Sequence, residues 1–388
     1  INDEAHHCYR RRLADDDGEK LTGDERREAA RRDEEARVWI GGLEAVRAKL
    51  GVRAVYDLSA TPFFLKGSGF EEGTLFPWVV SDFSLIDAIE SGLVKVPRVP
   101  VDDDGAQHDM PTFRNIWARI KDELPKRGAK GYAPGAGPVL PATLDAALRS
   151  LYRNYERSYR EWEASTEARA AGQTPPVFIV VCNNTTVSKR VYDFIAGWAD
   201  AQPDGSVRAE PGALPIFSNV SPDGQWLDRP NTILVDSAQL ESGEAMSDEF
   251  KAAAAREIEE FKAEYRLRFH GRDADKLTDE DLLREVMNTV GKAGKLGEHV
   301  KCVVSVSMLT EGWDAKTVTH VLGVRAFSTQ LLCEQVVGRA LRRTSFALND
   351  AGMFEAEYAE VYGVPFSFIP THGAATVRAP QPVTRVRA

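Results

Sequence analysis

Short, uninterrupted apolar segments are the feature that most constrains the fold of this chain. Val177–Cys182 reads VFIVVC and has no charged or hydroxyl side chain at any position. A strand of this kind is buried on both faces, which is typical of a central strand in a parallel sheet covered by helices. The same reasoning predicts strands at Thr232–Val235, Lys301–Val306 and Thr319–Val324, with helices at Ser247–Phe269 and Asp279–Val290. This part of the chain therefore predicts an α/β domain.

The N-terminal part shows a second α/β pattern. Asp24–Arg47 is charged and rich in Ala, Glu and Arg, which predicts a helix, and Arg53–Leu58 (RAVYDL) predicts a short buried strand. Leu85–Leu93 and a strand-like Val94–Val101 follow a Gly-rich loop. Residues 102–176 hold a Gly- and Pro-rich patch and a long amphipathic stretch, which predict a helical insertion or linker. The tail from Thr344 to Ala388 is predicted to be irregular.

Charge and composition limit the classes of function. The net charge is −10 and the pI about 5.4, whereas a small dedicated DNA-binding domain is usually basic. A large motor can still confine its nucleic-acid contacts to one groove. No apolar run reaches the length of a membrane span, and no signal-peptide pattern is present. The four cysteines form no C-x-x-C pair, which favours buried free thiols in a reducing cytoplasm.

Two adjacent carboxylates open the chain, in the sequence Asp3-Glu4-Ala5-His6. At a strand end, one carboxylate can hold Mg²⁺ while the other orients an attacking water, which suits phosphoryl transfer. A solvated acidic turn is the alternative. Ser59-Ala60-Thr61 follows the predicted strand Arg53–Leu58, and its hydroxyl groups can either relay between a nucleotide site and a neighbour or cap the next segment.

A polar loop, Met308–Asp314 (MLTEGWD), follows the predicted strand at Lys301–Val306. Gly312 allows close approach of backbone to a phosphate. Thr310 can bond a nucleic-acid phosphate, and Asp314 can bond a ribose hydroxyl or an arginine. The alternative is a tight turn in which Trp313 packs.

The most specific pattern is Gln335–Arg342, which reads QVVGRALR. On a helix, Gln335, Arg339 and Arg342 share one face. Two arginines and a glutamine directed at one point suit a triphosphate, because the guanidinium fork matches phosphate oxygens. Gly338 within a helix costs about 1 kcal/mol relative to alanine, so close approach of a neighbour is a plausible reason for it. A solvated basic face is the alternative.

The order of these patterns resembles the superfamily-two helicases and translocases. D-E-A-H, S-A-T, the strand at Val177–Cys182 followed by Asn183–Thr186, T-E-G-W-D and Q-x-x-G-R-x-x-R correspond to motifs II to VI, over residues 1 to about 345. The wording of Asn2–Cys8, of the T-E-G-W-D loop and of Phe327–Arg343 is most similar to the motor subunit of type III restriction enzymes and related DEAD/DEAH-box restriction proteins.

This resemblance implies an α/β architecture with two RecA-like parallel-sheet domains, the first incomplete, and helical insertions. The implied divisions are residues 1–101 for the first domain, 102–176 for the insertion, 177–345 for the second domain and 346–388 for the start of a C-terminal extension. ATP would bind between the two domains.

The resemblance also implies roles for individual residues. Asp3 would hold Mg²⁺, Glu4 would activate water, and His6 would couple the nucleotide site to Ser59 and Thr61. Arg339 and Arg342 would be arginine fingers, with Gln335 near the nucleotide and Gly312 and Asp314 in the nucleotide-side loop, motif V. The residues implied to face the nucleic-acid backbone are Asn183, Thr185 and Thr310.

The implied protein is an ATP-dependent motor acting on double- or single-stranded DNA. A methyltransferase or specificity subunit is a further expected partner, and no membrane association is expected. A stand-alone helicase or repair translocase is one alternative, and a helicase-like scaffold without ATPase activity is another. The phosphate-cradling loop G-x-x-x-x-G-K-[ST] does not occur in the 388 residues and is expected upstream of Ile1. The chain alone is therefore predicted to bind ATP poorly and not to hydrolyse it. Any nuclease domain is expected beyond Ala388.

Overall fold

A computed structural model describes most of the chain. The described residues are 1–3, 5, 8, 23–59, 76, 79–81, 83–100, 112–125, 135–202, 206–235, 248–268, 273–306, 313–327 and 336–365. The chain forms two compact units, Ile1–Ser84 and Leu85–Ala388. No helix in these described ranges is both long enough and apolar enough to cross a membrane.

The first unit contains a long helix and one parallel backbone pairing. Helix α1 spans Gly23–Leu50. Asn2 lies beside Asp57 in a parallel bridge, in which the Asn2 N–H donates to the Tyr56 carbonyl at 2.8 Å and the Leu58 N–H donates to the Asn2 carbonyl at 2.9 Å. The predicted strand at 53–58 is therefore limited to this bridge, and its neighbour in space is the segment that carries D-E-A-H.

The second unit is built on a six-stranded sheet in which every pairing is parallel. The strands are β1 (Val96–Arg98), β2 (Val177–Cys182), β5 (Thr232–Val235), β6 (Cys302–Ser305), β7 (Val318–Val324) and β8 (Tyr358–Tyr362). Their order in the sheet is β1-β8-β7-β2-β6-β5. Strands β3 (Gly197–Ala201) and β4 (Val207–Pro211) form a separate antiparallel pair. The expected α/β class with a parallel sheet is confirmed.

Helices cover both faces of this sheet. They are α2 (Leu85–Glu90), α3 (Ile116–Ile120), α4 (Ala142–Ala164), α5 (Thr166–Ala170), α6 (Thr185–Ala196), α7 (Asp248–Ala253), α8 (Ala255–Arg268) and α9 (Asp279–Asn288). Short 3-10 turns lie at Thr112–Arg114 and Ala274–Lys276, and residues 336–340 are helical.

The apolar run of β2 divides its side chains between two cores. Val177, Ile179 and Val181 join a cluster with residues of α8, α9 and the helical segment 336–340. Phe178 and Val180 join a second cluster with residues of α4 and α6 on the other face. Each large apolar side chain removed from water in this way contributes about 1.5–3 kcal/mol. Burial on both faces explains why the strand is apolar throughout.

The compact units can be set beside the division implied by the resemblance. The boundary between them lies at Ser84, and β1 pairs with β8 in the sheet of the second unit. Helix α4 lies within the segment 102–176, yet it packs on the sheet through a buried face that includes Leu144, Leu148 and Leu151. The tail expected to be irregular supplies β8. Strand β1 has only three residues, and β8 has five and lies beyond the last motif. The alternating pattern of such short strands is too short to be recognised in sequence.

Candidate functional site

The carboxyl-terminal edge of the parallel sheet collects the ends of several strands. β2 leads into Asn183 and Thr185, and β7 leads into Arg325. In open α/β sheets, ligands bind in the crevice outside these carboxyl ends. Asn183 and Thr185 therefore lie at the edge at which such folds bind ligands. Asp314 lies four residues before β7, and Arg342 pairs with Val94 two residues before β1, so these two residues lie at the amino-terminal edge instead.

Helix α6 begins directly at this edge. Asn184 is its N-cap, with the side-chain oxygen accepting a hydrogen bond from the Val187 N–H at 2.9 Å. Asn183 is exposed and Thr185 half-buried. The cap fixes the direction in which the first helical turn leaves the strand. Asn183 and Thr185, both predicted to contact a nucleic-acid backbone, are thus held on a defined turn that is accessible to solvent.

Asp314 and Arg342 form an ion pair, although they are far apart in sequence. Arg342 Nη1 donates to Asp314 Oδ1 at 2.7 Å and to the Trp313 carbonyl at 2.9 Å. The two side chains are 41% and 44% exposed. Sequence left open whether Asp314 bonds a ribose hydroxyl or an arginine, and the structure pairs it with an arginine. Both of these bonds use Nη1, and the side chain is partly exposed, so other donors of the guanidinium group remain able to bond a ligand.

Trp313 anchors this loop in the core. Its side chain is 1% exposed, and its Nε1–H donates to the Met287 carbonyl at 2.9 Å. The packing role considered for Trp313 is confirmed, and it coexists with the Asp314 ion pair. A buried, hydrogen-bonded indole restricts the position of the residue that follows it.

The segment 336–340 is helical, but Arg342 lies beyond it. Arg342 forms an isolated antiparallel bridge with Val94, next to β1. The expectation that Arg342 continues the helical face of Arg339 is therefore wrong, because the chain turns at residue 341 to pair with the segment before β1. Arg339 itself is half-buried on the helical segment. A Cβ built at Gly338 meets no described atom within 4 Å, so these residues give no support to a close approach there.

Two buried basic residues near this ion pair were not identified from sequence. Lys95 is 2% exposed, and its Nζ donates to the carbonyl oxygens of Lys316 and Val318, each at 2.6 Å. Arg343 is also buried, with Nε donating to the Ser345 carbonyl at 3.0 Å. The available signal for Lys95 was a lysine within the apolar run Leu93–Val96. For Arg343 it was a second arginine directly after Arg342.

In the first unit, backbone pairing places the segment that contains Asp3 beside the segment that ends at Ser59. The Ala5 N–H donates to the Leu58 carbonyl at 3.0 Å, so Ala5 lies beside Leu58. Asp3 is exposed and Ser59 half-buried. Because this bridge is parallel, the chain runs in the same direction at Asn2 and at Asp57. An exposed carboxylate at such an end suits Mg²⁺, which is typically bound through one or two carboxylates, waters and substrate phosphates.

Asn2 fixes the position of this segment and was missed in sequence. Its Nδ2 donates to Asp57 Oδ1 at 2.8 Å, and its Oδ1 accepts from Trp39 Nε1 on α1 at 2.8 Å. Burial raises the pKa of the neighbouring Cys8 thiol, although Asn2 bonds to it. A polar residue at 6% exposure is satisfied by these bonds.

Several predicted site residues lie outside the described residues. Those described are Asp3, Ser59, Asn183, Thr185, Asp314, Arg339 and Arg342; those outside are Glu4, His6, Thr61, Thr310, Gly312 and Gln335. In the part of the chain that the structure describes, no cluster of three or more His, Cys, Asp or Glu side chains could hold a metal ion. The peptides Glu249–Lys251 and Glu260–Lys262, which superficially match a nuclease pattern, lie on α7 and α8, not on strands.

A polar groove of about 470 Å³ also lies at the amino-terminal part of the sheet, beside α4. Its lining includes Arg98, Arg157, Glu161, His320 and Glu360. The two arginines are balanced by the two glutamates, and Arg98 Nη1 lies 3.3 Å from Glu360 Oε1. Burial lowers the pKa of His320 to about 3, helped by Arg157 and Lys95, so its ring is neutral at physiological pH. The groove therefore offers little net charge to recruit an anionic ligand.

The sequence was compared with protein-family models and with curated proteins. No family model matches this chain, and no curated protein matches it either.

Proposed function

We propose that this chain is part of an ATP-driven nucleic-acid motor of the superfamily-two helicase type, most similar to the motor of type III restriction enzymes. The observation that carries the proposal is the ion pair between Asp314 and Arg342. It joins two separate sequence motifs, T-E-G-W-D and Q-x-x-G-R-x-x-R, at one place. A chance match of both patterns would give no reason for their residues to meet.

In the second unit, different residues are suited to the nucleotide and to the nucleic acid. Arg342 presents the remaining donors of a charged guanidinium group, which bind phosphate oxygens well. Arg339 precedes it by three residues on the helical segment 336–340. Asn183 and Thr185 extend from the end of β2, where hydroxyl and amide groups can bond backbone phosphates without reading bases. The proposed tracking is therefore independent of sequence.

The first unit would supply the metal side of the reaction. Asp3 would hold Mg²⁺, and Glu4 would orient the attacking water by the resemblance. When bound, Mg²⁺ would neutralise charge that develops on the phosphate oxygens. The Asn2 hydrogen bonds to Asp57 and Trp39 hold the D-E-A-H segment in register with the segment that ends at Ser59. Ser59 and Thr61 would then relay changes at the phosphate to the neighbouring structure.

The test uses Arg339 in an enzyme form that also contains a phosphate-binding loop. Arg339→Ala should lower nucleic-acid-stimulated ATP hydrolysis by at least about 10³-fold, the scale of an arginine finger. Nucleic-acid affinity should stay within about twofold of the wild type, since the backbone contacts are assigned elsewhere.

Arg157→Ala is the matched control, because Arg157 is an exposed arginine of the same unit in the amino-terminal groove. It should leave both activities unchanged. Hydrolysis that survives Arg339→Ala would contradict the arginine-finger assignment. The 388-residue chain by itself should show no Mg²⁺-ATPase activity, and an ordinary turnover rate would contradict that expectation.

A further inference from the structure

The neighbourhood of the Asp314–Arg342 pair contains a buried cation that the proposed chemistry does not use. The ammonium group of Lys95 donates to the carbonyl oxygens of Lys316 and Val318. These two residues directly follow the loop that ends at Asp314 and lead into β7. The side chain of Lys95 therefore holds the chain immediately after Asp314.

The backbone of the same residue holds the other member of the pair. The Lys95 N–H donates to the Leu341 carbonyl at 2.7 Å, and Val94 forms the antiparallel bridge with Arg342. Lys95 thus ties residue 341 through its main chain and residues 316 and 318 through its side chain. Arg342 and Asp314 lie beside these two attachment points.

Stability alone does not explain a lysine at this position. Taking an ammonium group out of water costs several kcal/mol, and buried charged groups are often replaced by apolar residues without loss of stability. Here the charge is satisfied by two carbonyl oxygens, while Glu357 and Arg343 lie close enough to influence it with opposite sign. The advantage of such a residue is that it fixes the positions of the segments it bonds. Functional groups must be held within about 0.5 Å of their working positions.

We propose that Lys95 is a positioning residue, which sets the distance between the segment that follows Asp314 and the chain at Leu341, and so orients Arg342. The importance of this role for catalysis rests on the proposed function. The structural role does not, because it concerns only contacts within the second unit. Lys95 acts through Asp314 and Arg342 and is not itself a phosphate-binding residue.

The experiment is hydrogen exchange followed by mass spectrometry on the 388-residue chain. Lys95→Met removes the charge and both side-chain bonds while keeping the apolar stem. Peptides that cover 313–318 and 336–343 should exchange at least about tenfold faster than in the wild type. Local opening of these segments becomes easier when the hydrogen bonds of Lys95 no longer have to be broken. Peptides from β5 and from the β3–β4 pair should exchange at the wild-type rate.

Lys301→Met is the matched control. Lys301 lies at the start of β6 in the same sheet, its Nζ donates to Asn231 Oδ1 at 2.9 Å, and burial also lowers the pKa of its ammonium group. This variant should leave exchange in 313–318 and 336–343 unchanged. Lys95→Gln, which keeps one donor group, should give a smaller increase than Lys95→Met and serves if Lys95→Met does not fold.

Unchanged exchange in both peptides of the Lys95 variants would overturn the proposal. Uniformly faster exchange across all strands would overturn it as well, since Lys95 would then support the whole fold. The exchange experiment tests the role of Lys95 independently of the Arg339→Ala test of the proposed function. Failure of the Arg339→Ala test would refute the motor assignment and leave the exchange result intact, whereas wild-type exchange would refute the role of Lys95 alone.

Discussion

Two arginines near the amino-terminal edge of the six-stranded sheet are each paired with a carboxylate, but the pairs are supported differently. Arg98 lies 3.3 Å from Glu360 and stacks 3.6 Å over the Tyr358 ring. Arg342 bonds both Asp314 and a backbone carbonyl. The first arginine is held by side chains of the neighbouring strand β8, whereas the second is held by segments that a buried lysine ties together.

This difference suggests how a structural pair can be told from a functional one. Arg98 contacts Glu360 and the Tyr358 ring within the groove, which also contains a second glutamate. Arg342 pairs with Asp314 and so joins the Q-x-x-G-R-x-x-R and T-E-G-W-D patterns. An exposed ion pair contributes little stability, typically about 0–1 kcal/mol, so neither pair is explained by folding energy. The predictions below test whether only the Asp314–Arg342 pair affects activity.

The largest expected difference concerns hydrolysis. In an ATPase-competent form, Arg342→Ala should lower the rate of ATP hydrolysis by about 10²–10³-fold, because it removes a charge that would stabilise the transition state. Arg98→Ala should change the rate by less than about twofold. Steady-state kinetics of both variants would decide this, and equal losses would show that the two pairs do not differ as proposed.

A smaller effect is expected on stability at alkaline pH. Burial lowers the pKa of Lys95 from 10.5 to about 8; Glu357 opposes this shift and Arg343 adds to it, while His320 is nearby and neutral. Between pH 8 and 10.5 the unfolded chain retains a proton that the folded chain has lost, so folded-state stability rises with pH. Relative to Lys95→Met, the wild type should gain up to about 3 kcal/mol across this window.

Urea unfolding of both proteins at several pH values measures this difference. The comparison cancels the titration of other groups, which the two proteins share. A difference that stays constant between pH 8 and 10.5 would show that Lys95 keeps an ordinary pKa in the folded chain.

The smallest expected effect is on nucleic-acid affinity. Thr185→Ala at the first position of α6 should weaken binding by about three- to tenfold, through loss of one hydroxyl contact to phosphate. Thr166→Ala provides the control, because Thr166 is an exposed threonine at the first position of α5. Equal affinities for the two variants would remove Thr185 from the interface.

The sequence predicted the central strands well, and physical reasons explain where it failed. Val177–Cys182 is apolar throughout because it is buried on both faces, so its location and class followed from composition alone. Edge strand β1 spans only Val96–Arg98. It pairs with a strand far away in sequence: Arg98 contacts Glu360, which is 262 positions further along the chain. Contacts of that range leave no local pattern.

The candidate site was predicted in part for the same reason. Asp314, Arg339 and Arg342 were identified because they belong to short motifs with recognisable spacing. The helical face assumed for Arg342 failed because the chain leaves the helix after residue 340 and pairs with Val94. Lys95 and Asn2 were missed because their roles depend on carbonyl and side-chain partners that only the folded chain brings close.

The most direct test of the central claim is the salt dependence of nucleic-acid binding by the 388-residue chain. Fluorescence anisotropy with two single-stranded DNA oligonucleotides of unrelated sequence should give the same affinity for both. The logarithm of the affinity should fall linearly with the logarithm of salt concentration, as expected for contacts to phosphates. Absence of binding at low salt, or strong preference for one oligonucleotide, would contradict the proposal that this chain tracks a nucleic-acid backbone.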